Sequence, residues 1–97
     1  MTTPLYALLR DRCGLTIREA SEFHRVSLST VNKWISGHRH VPEGALRELR
    51  ELYGRIEDAG QSGDPFEIDA LPCEGARDAA RGLADLWAIE LPRDMDG

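Results

Sequence analysis

The spacing of apolar residues predicts helices along most of this chain. Apolar side chains recur at helical spacing through residues 4–13, and Gly14 should end this first helix. Its predicted apolar stripe consists of Leu5, Leu8, Leu9 and Cys13. A second helix should cover residues 17–24, because Thr16 and Glu19 form the T-x-x-E pattern of a capping box.

A third helix is predicted over residues 28–36, with Ser27 as its N-terminal cap and Gly37 at its end. Its outward side carries Leu28, Ser29, Asn32 and Lys33, and its anchoring side carries Val31, Trp34 and Ile35. Short polar groups in front of an aromatic anchor suit insertion into a DNA major groove. The Asn32 amide can pair with adenine, and Lys33 can reach guanine. The alternative is that this polar side is only solvated.

A fourth helix should run from about residue 42 to 60. Its apolar stripe is Val41, Ala45, Leu46, Leu49, Leu52, Tyr53 and Ile56. Residues 60–65, GQSGDP, read as a linker because of their glycines, serine and Asp-Pro pair. Residues 66–71, FEIDAL, alternate weakly between apolar and polar, so we expect a short strand or an extended arm there.

A fifth helix is predicted over residues 74–88. One of its faces, which Gly82 weakens, carries Ala76, Ala79, Ala80, Leu83, Leu86 and Trp87. This face could belong to the core or pair two chains, and we favour dimerisation through Ala76, Ala80, Leu83 and Trp87. The predicted domain organisation is therefore a helical domain over residues 1–59, a linker or extended arm over 60–73, and a dimerisation helix with a frayed tail over 74–97.

Charge divides along the chain. The net charge is −5, which by itself argues against binding to nucleic acid. Residues 1–50, however, carry eight Lys and Arg against five Asp and Glu, a net +3, with all three histidines. Residues 51–97 carry four arginines against twelve acids, a net −8. A basic half and an acidic half suggest separate duties, although a solvated acidic tail explains the second half nearly as well.

Several side chains are candidates for contact with DNA phosphates. The hydroxyls of Ser27 and Thr30 lie at a helix N-terminus, where backbone amides also attract phosphate. His38, Arg39 and His40 form a basic loop after the third helix. Histidine is the side chain that gains positive charge in mildly acidic solution, so we expect binding to strengthen on acidification. Capping alone would explain Ser27, and simple solvation would explain part of the loop.

Other function classes find little support. The chain has no glycine-rich phosphate loop, no G-x-S-x-G and no H-E-x-x-H, so we expect no enzyme activity and no cofactor. Cys13 and Cys73 lie far apart in sequence and should be free thiols, and the paired spacing of a zinc site is missing. The chain has no apolar run long enough for a membrane span, and its first residues do not resemble a signal peptide. We therefore expect a cytoplasmic protein.

The segment LTIREASEFHRVSLSTVNKWISG, residues 15–37, resembles the helix-turn-helix of Cro/C1-type (Xre-like) repressors. The matching pieces are Leu15-Thr16, Glu19-Ala20, Val26-Ser27, Ser29-Thr30-Val31 and the Trp34-x-x-Gly37 ending. The resemblance covers about residues 4–57. It implies an all-α, λ-repressor-like fold of four to five helices and a homodimer that binds double-stranded operator DNA.

The resemblance also assigns roles to individual residues. It implies that the side chains facing the groove are Ser27, Leu28, Ser29, Asn32 and Lys33, of which the last four are the candidates for base contact. It implies that Arg18 and the loop of His38, Arg39 and His40 touch phosphates. Thr16, Ser27 and Thr30 are further candidates for phosphate contact. The chain departs from the family at three positions: Ser21 stands where Ala is usual, His24 where an apolar residue is usual, and Arg25 where Gly is usual.

These departures predict a reshaped corner. Arg25 must either accept a left-handed backbone, at a cost of about 1 kcal/mol, or the corner differs. Phe23 would then take over the burial from His24.

Two functions remain open from the sequence. The first is a homodimeric transcriptional autorepressor, of a type found in phages and mobile elements, which binds an inverted-repeat operator. The second is an antitoxin-like or adaptor module whose acidic C-terminal half binds a partner protein. The two can coexist in one chain.

Overall fold

The computed structural model describes the backbone of residues 5–90 and the side chains of residues 5–86. Within that part of the chain the protein is all-α, as predicted, and has no strand. The helices are α1 (Leu5–Arg12), α2 (Ile17–His24), α3 (Leu28–Ser36), α4 (Glu43–Ser62), α5 (Pro65–Asp69) and α6 (Glu74–Glu90). None of these helices has the length and apolar character that crossing a bilayer requires.

The ends of α2 and α3 lie where the sequence predicts them, because both helices have strong local caps. The Thr16 hydroxyl accepts a hydrogen bond from the Glu19 amide at 3.1 Å, and the Glu19 carboxylate accepts one from the Thr16 amide at 3.0 Å. This reciprocal capping box confirms the predicted start of α2. Ser27 caps α3 in the predicted way, and Gly37 ends that helix in the left-handed conformation that glycine favours.

The predicted apolar stripe of α1 is correct at Leu9 and Cys13, which pack in the core, but wrong at Leu5 and Leu8. Tyr6 and Cys13 are fully buried, whereas Leu5 is 53% exposed and Leu8 is 48% exposed. The Tyr6 ring packs against two rings from other helices, those of His24 and Trp34, at centroid distances of 5.6 and 5.3 Å. These aromatic contacts turn α1 so that Tyr6 faces the core.

Residues 60–73 do not form the predicted linker with a strand or extended arm. The α4 helix continues to Ser62 and ends at Gly63, whose φ of 67° is left-handed. Asp64 then caps the short helix α5 through a 2.9 Å hydrogen bond from the Phe66 amide. The Asp-Pro pair is therefore a helix start, with Pro65 in the first turn, where its missing N–H costs nothing.

The α6 helix packs along α4 and completes the core. Ala76 and Ala80 are fully buried in the same hydrophobic cluster as the core side chains of α1–α4. Glycine at position 60 allows the close approach, because a Cβ there would lie 2.6 Å from the Cβ of Leu83. The assignment of Ala76 and Ala80 to a dimer surface is therefore wrong: intramolecular packing leaves neither of them exposed to a second copy. Leu83 also packs against this core, and the Trp87 side chain lies outside the described residues.

Candidate nucleic-acid interface

The α3 helix has two distinct sides. Val31 is fully buried and Trp34 is only 3% exposed, so both fasten the helix to the body, with Ile35 partly buried beside them. The exposed side carries Leu28, Ser29, Asn32 and Lys33, all predicted for base contact. The structure therefore leaves an amide, an ammonium, a hydroxyl and an apolar side chain available along one exposed face.

The N-terminal end of α3 holds two hydroxyls close together. Ser27 Oγ accepts a hydrogen bond from the Thr30 amide at 3.1 Å and lies 3.0 Å from Thr30 Oγ1. One hydroxyl hydrogen is used between the two oxygens, which leaves the other hydrogen able to donate. This pair can cap the helix and still donate to one further acceptor, such as a phosphate oxygen.

The basic loop is fastened to the C-terminal end of α3. His38, Arg39 and His40 are all exposed. His38 Nδ1 lies 2.8 Å from Ser36 Oγ, and the Arg39 amide donates to the Lys33 carbonyl at 3.2 Å. These short-range bonds place the loop directly after the exposed face of α3.

The start of α2 supplies the remaining predicted phosphate contacts. Arg18 is exposed, and its carbonyl accepts a 2.9 Å hydrogen bond from Ser21 Oγ, which satisfies the hydroxyl of the buried Ser21. Thr16 is also exposed, but its hydroxyl oxygen already accepts from Glu19 within the capping box.

The corner between α2 and α3 keeps its left-handed backbone despite having arginine. Arg25 has φ 61° and ψ 45°, and it is the non-glycine residue with positive φ in the described chain. Its amide donates to Glu22 at 3.2 Å, and the Val26 amide donates to Ser21 at 3.0 Å. Arg25 therefore accepts the strain, and the predicted reshaping of the corner does not occur.

His24 keeps the buried place that the sequence analysis gave to Phe23. The His24 side chain is only 2% exposed, whereas Phe23 is partly buried. His24 Nδ1 lies 2.8 Å from Glu48 Oε1 on α4. The centroid of the His24 ring lies 5.1–5.6 Å from the centroids of three other aromatic rings. Sequence reasoning missed this contact, because Glu48 reads as part of the charged outer face of α4.

Glu19 links the start of α2 to the start of α6. Its second carboxylate oxygen accepts a 3.0 Å hydrogen bond from the Gly75 amide. Burial works to raise the pKa of this carboxyl, but the amides of Thr16 and Gly75, the Thr16 hydroxyl and the charge of Arg77 outweigh it and lower the pKa. The backbones of Gly14 and Gly75 touch at the same point, so closely that neither position has room for a Cβ.

The two cysteines are free thiols, as predicted. Burial raises the pKa of Cys13 to about 12, and it also raises the pKa of Cys73. Both therefore remain protonated near neutral pH. Among the described residues, no three His, Cys, Asp or Glu side chains gather into a group that could hold a metal ion.

Comparison with known proteins found no relative of this chain. No family model, no curated protein and no solved structure matches the chain. The exposed face of α3 and its surroundings are therefore the features from which a function can be inferred.

Proposed function

We propose that this protein is a sequence-specific regulator of transcription that binds double-stranded DNA through α3. The observation that supports this most directly is the pairing of exposed Asn32 and Lys33 with buried Val31 and Trp34 on the same helix. The apolar side of such a helix fastens it to the protein, and its polar side can enter a major groove without disturbing the core.

Each side chain of this face has chemistry that suits a base edge. Asn32 can donate to and accept from adenine at once, and Lys33 can donate to guanine O6 and N7. The Leu28 side chain can pack on a thymine methyl group, and the Ser29 hydroxyl can bond either a base or a phosphate.

Contacts with phosphates would position the helix in the groove. Ser27 and Thr30 can donate from the N-terminal end of α3, where the helix dipole also favours an anion. Arg18, Arg39 and the two loop histidines supply exposed positive or ionisable groups around it. Binding that depends on such contacts should weaken steeply as the salt concentration rises.

The proposal includes a homodimer that represses its own operon from an inverted-repeat operator. Two copies of α3 would then read half-sites separated by about one helical turn, roughly 34–36 Å. The chain would act as a binding protein, without catalysis and without a cofactor. Sedimentation of the free protein and of its complex with DNA tests the dimer directly.

The test of the groove assignment is a mobility shift with the DNA upstream of the protein's own gene. Asn32→Ala combined with Lys33→Ala should weaken specific binding by at least tenfold, because each base contact contributes about 1–3 kcal/mol. The matched control combines Arg50→Ala with Gln61→Ala, which also removes one cation and one amide, both exposed on α4. Unchanged affinity and unchanged sequence preference in the first variant would refute the assignment.

A further inference from the structure

The most exposed large apolar side chain of the described residues lies in the acidic half of the protein. Phe66, on α5, is 84% exposed, well above Leu5 at 53%. Soluble proteins carry exposed apolar residues as a matter of course, so exposure alone decides nothing. Its setting on α5 distinguishes Phe66 from the other exposed apolar residues.

The helix that carries Phe66 is held firmly in place. Ile68 on α5 and Leu71, two residues after the end of α5, are both buried and fasten this helix to the body. At the other end, Ser62 Oγ donates to Glu67 at 2.9 Å and accepts from the Asp64 amide at 3.1 Å. The ring is therefore presented outward from a fixed backbone, which lowers the entropy lost when a partner covers it.

The surface beside α5 is concave and acidic. A depression of about 330 Å³ is lined by Asp58, Glu67 and Arg55, among others. A second, of about 340 Å³, is lined by Asp69, Asp85 and Arg81, among others. Phe66 thus lies on a short helix whose neighbouring residues line two shallow depressions, each with two carboxylates and one arginine.

The described arginines of this half, Arg55, Arg77 and Arg81, are already engaged within the chain. Arg81 lies within 4 Å of the carboxylates of Asp69, Glu74 and Asp78. Arg77 pairs with Glu74, and Arg55 donates to the Ala70 carbonyl. Among the described residues, Asp58, Glu67 and Asp85 form no ion pair, so their charge is available to a partner.

We propose that Phe66 and the acidic depressions beside it form a docking surface for a basic, amphipathic helix of a partner protein. Charge decides between possible occupants. A second copy that docks the same face would place carboxylates against carboxylates, which costs free energy. Of the described arginines of this half, Arg77 and Arg81 are already in ion pairs, which leaves Arg55 alone to offset the repulsion. DNA and anionic membranes are repelled in the same way. A cationic protein surface would pair with the carboxylates and cover the ring.

This proposal does not rest on DNA binding, and substitution tests it better than truncation. Deletion of residues 61–97 would remove Ala76 and Ala80 from the core and expose α4. Phe66→Ser removes the ring from an exposed site, so the fold should persist, which circular dichroism checks. Leu8→Ser is the matched control, because Leu8 is 48% exposed on the opposite, basic half of the chain.

The probe is a fluorescent helical peptide with lysines on one side and leucines on the other, followed by fluorescence anisotropy. Wild type and Leu8→Ser should bind it alike, and Phe66→Ser at least tenfold more weakly, as for a central interface residue. Peptides with serine in place of leucine, or glutamate in place of lysine, should bind weakly to all three proteins. Equal binding of the basic peptide by wild type and Phe66→Ser would overturn the proposal.

Sedimentation tests whether a second copy of the chain, and not a basic partner, covers Phe66. If wild type is a dimer and Phe66→Ser is a monomer, a second copy covers this surface and the proposal is wrong. If both proteins sediment alike, the surface is not the contact between copies, as expected. DNA affinity of Phe66→Ser, measured in parallel, should equal that of wild type, so that a failure here is distinct from a failure of the groove assignment.

Discussion

The contact between α4 and α6 predicts opposite effects for the same substitution at two glycines of one helix. Gly54 and Gly60 both lie within α4. A Cβ at position 54 would have no neighbour within 4 Å, whereas one at position 60 would lie 2.6 Å from Leu83 Cβ and 3.2 Å from the Ala80 carbonyl oxygen. The perturbation is Gly→Ala at each position in turn.

The expected magnitudes follow from these distances. Alanine in place of glycine inside a helix stabilises by about 0.5–1 kcal/mol, because glycine loses more backbone entropy on folding. Carbon atoms in contact normally lie about 3.5–4.0 Å apart, so the new methyl at position 60 falls short by about 1 Å. Overpacking of this kind costs about 1–3 kcal/mol. Gly54→Ala should therefore lie above wild type in stability, and Gly60→Ala about 1–3 kcal/mol below Gly54→Ala.

Urea and thermal unfolding followed by far-ultraviolet circular dichroism measure both variants. In a domain of this size each kcal/mol corresponds to about 4–8 °C in Tm. Both proteins should keep wild-type helix content, since neither position touches the exposed face of α3. If Gly60→Ala were as stable as Gly54→Ala, α6 would not pack on α4 as closely as the structure shows, and the assignment of Ala76 and Ala80 to the core would fall with it.

Two further predictions concern α2 and its corner. Because the pKa of Glu19 is lowered in the folded state, its contribution to stability is present above the ordinary value of 4.5 and is lost as pH falls below it. Between pH 6 and about pH 3, the Tm of wild type should therefore fall further than the Tm of Glu19→Gln. Equal decreases in Tm for the two proteins would contradict the capping role. At the corner, Arg25→Gly should leave stability unchanged or raise it by up to about 1 kcal/mol, whereas Arg25→Val should lower it by at least about 1 kcal/mol. Equal urea midpoints for the two variants would show that the backbone there is not left-handed.

The sequence determined the helices whose ends have local causes. The bounds of α2 and α3 follow from hydrogen bonds that span three or four residues, such as those of Thr16 with Glu19 and of Ser27 with Thr30. The exposed face of α3 follows equally, because the spacing of Val31 and Trp34 fixes which side of the helix is buried. These features need no knowledge of the rest of the molecule.

Only the tertiary structure decided which surfaces meet. Tyr6 turned inward and Leu5 outward because the rings of His24 and Trp34 lie beside α1, and those residues are distant in sequence. Ala76 and Ala80 joined the core because glycine at position 60 leaves room for α6 on α4. Spacing along a helix shows that a face is apolar, but its partner depends on long-range packing, and a second copy or the same chain can cover it equally well.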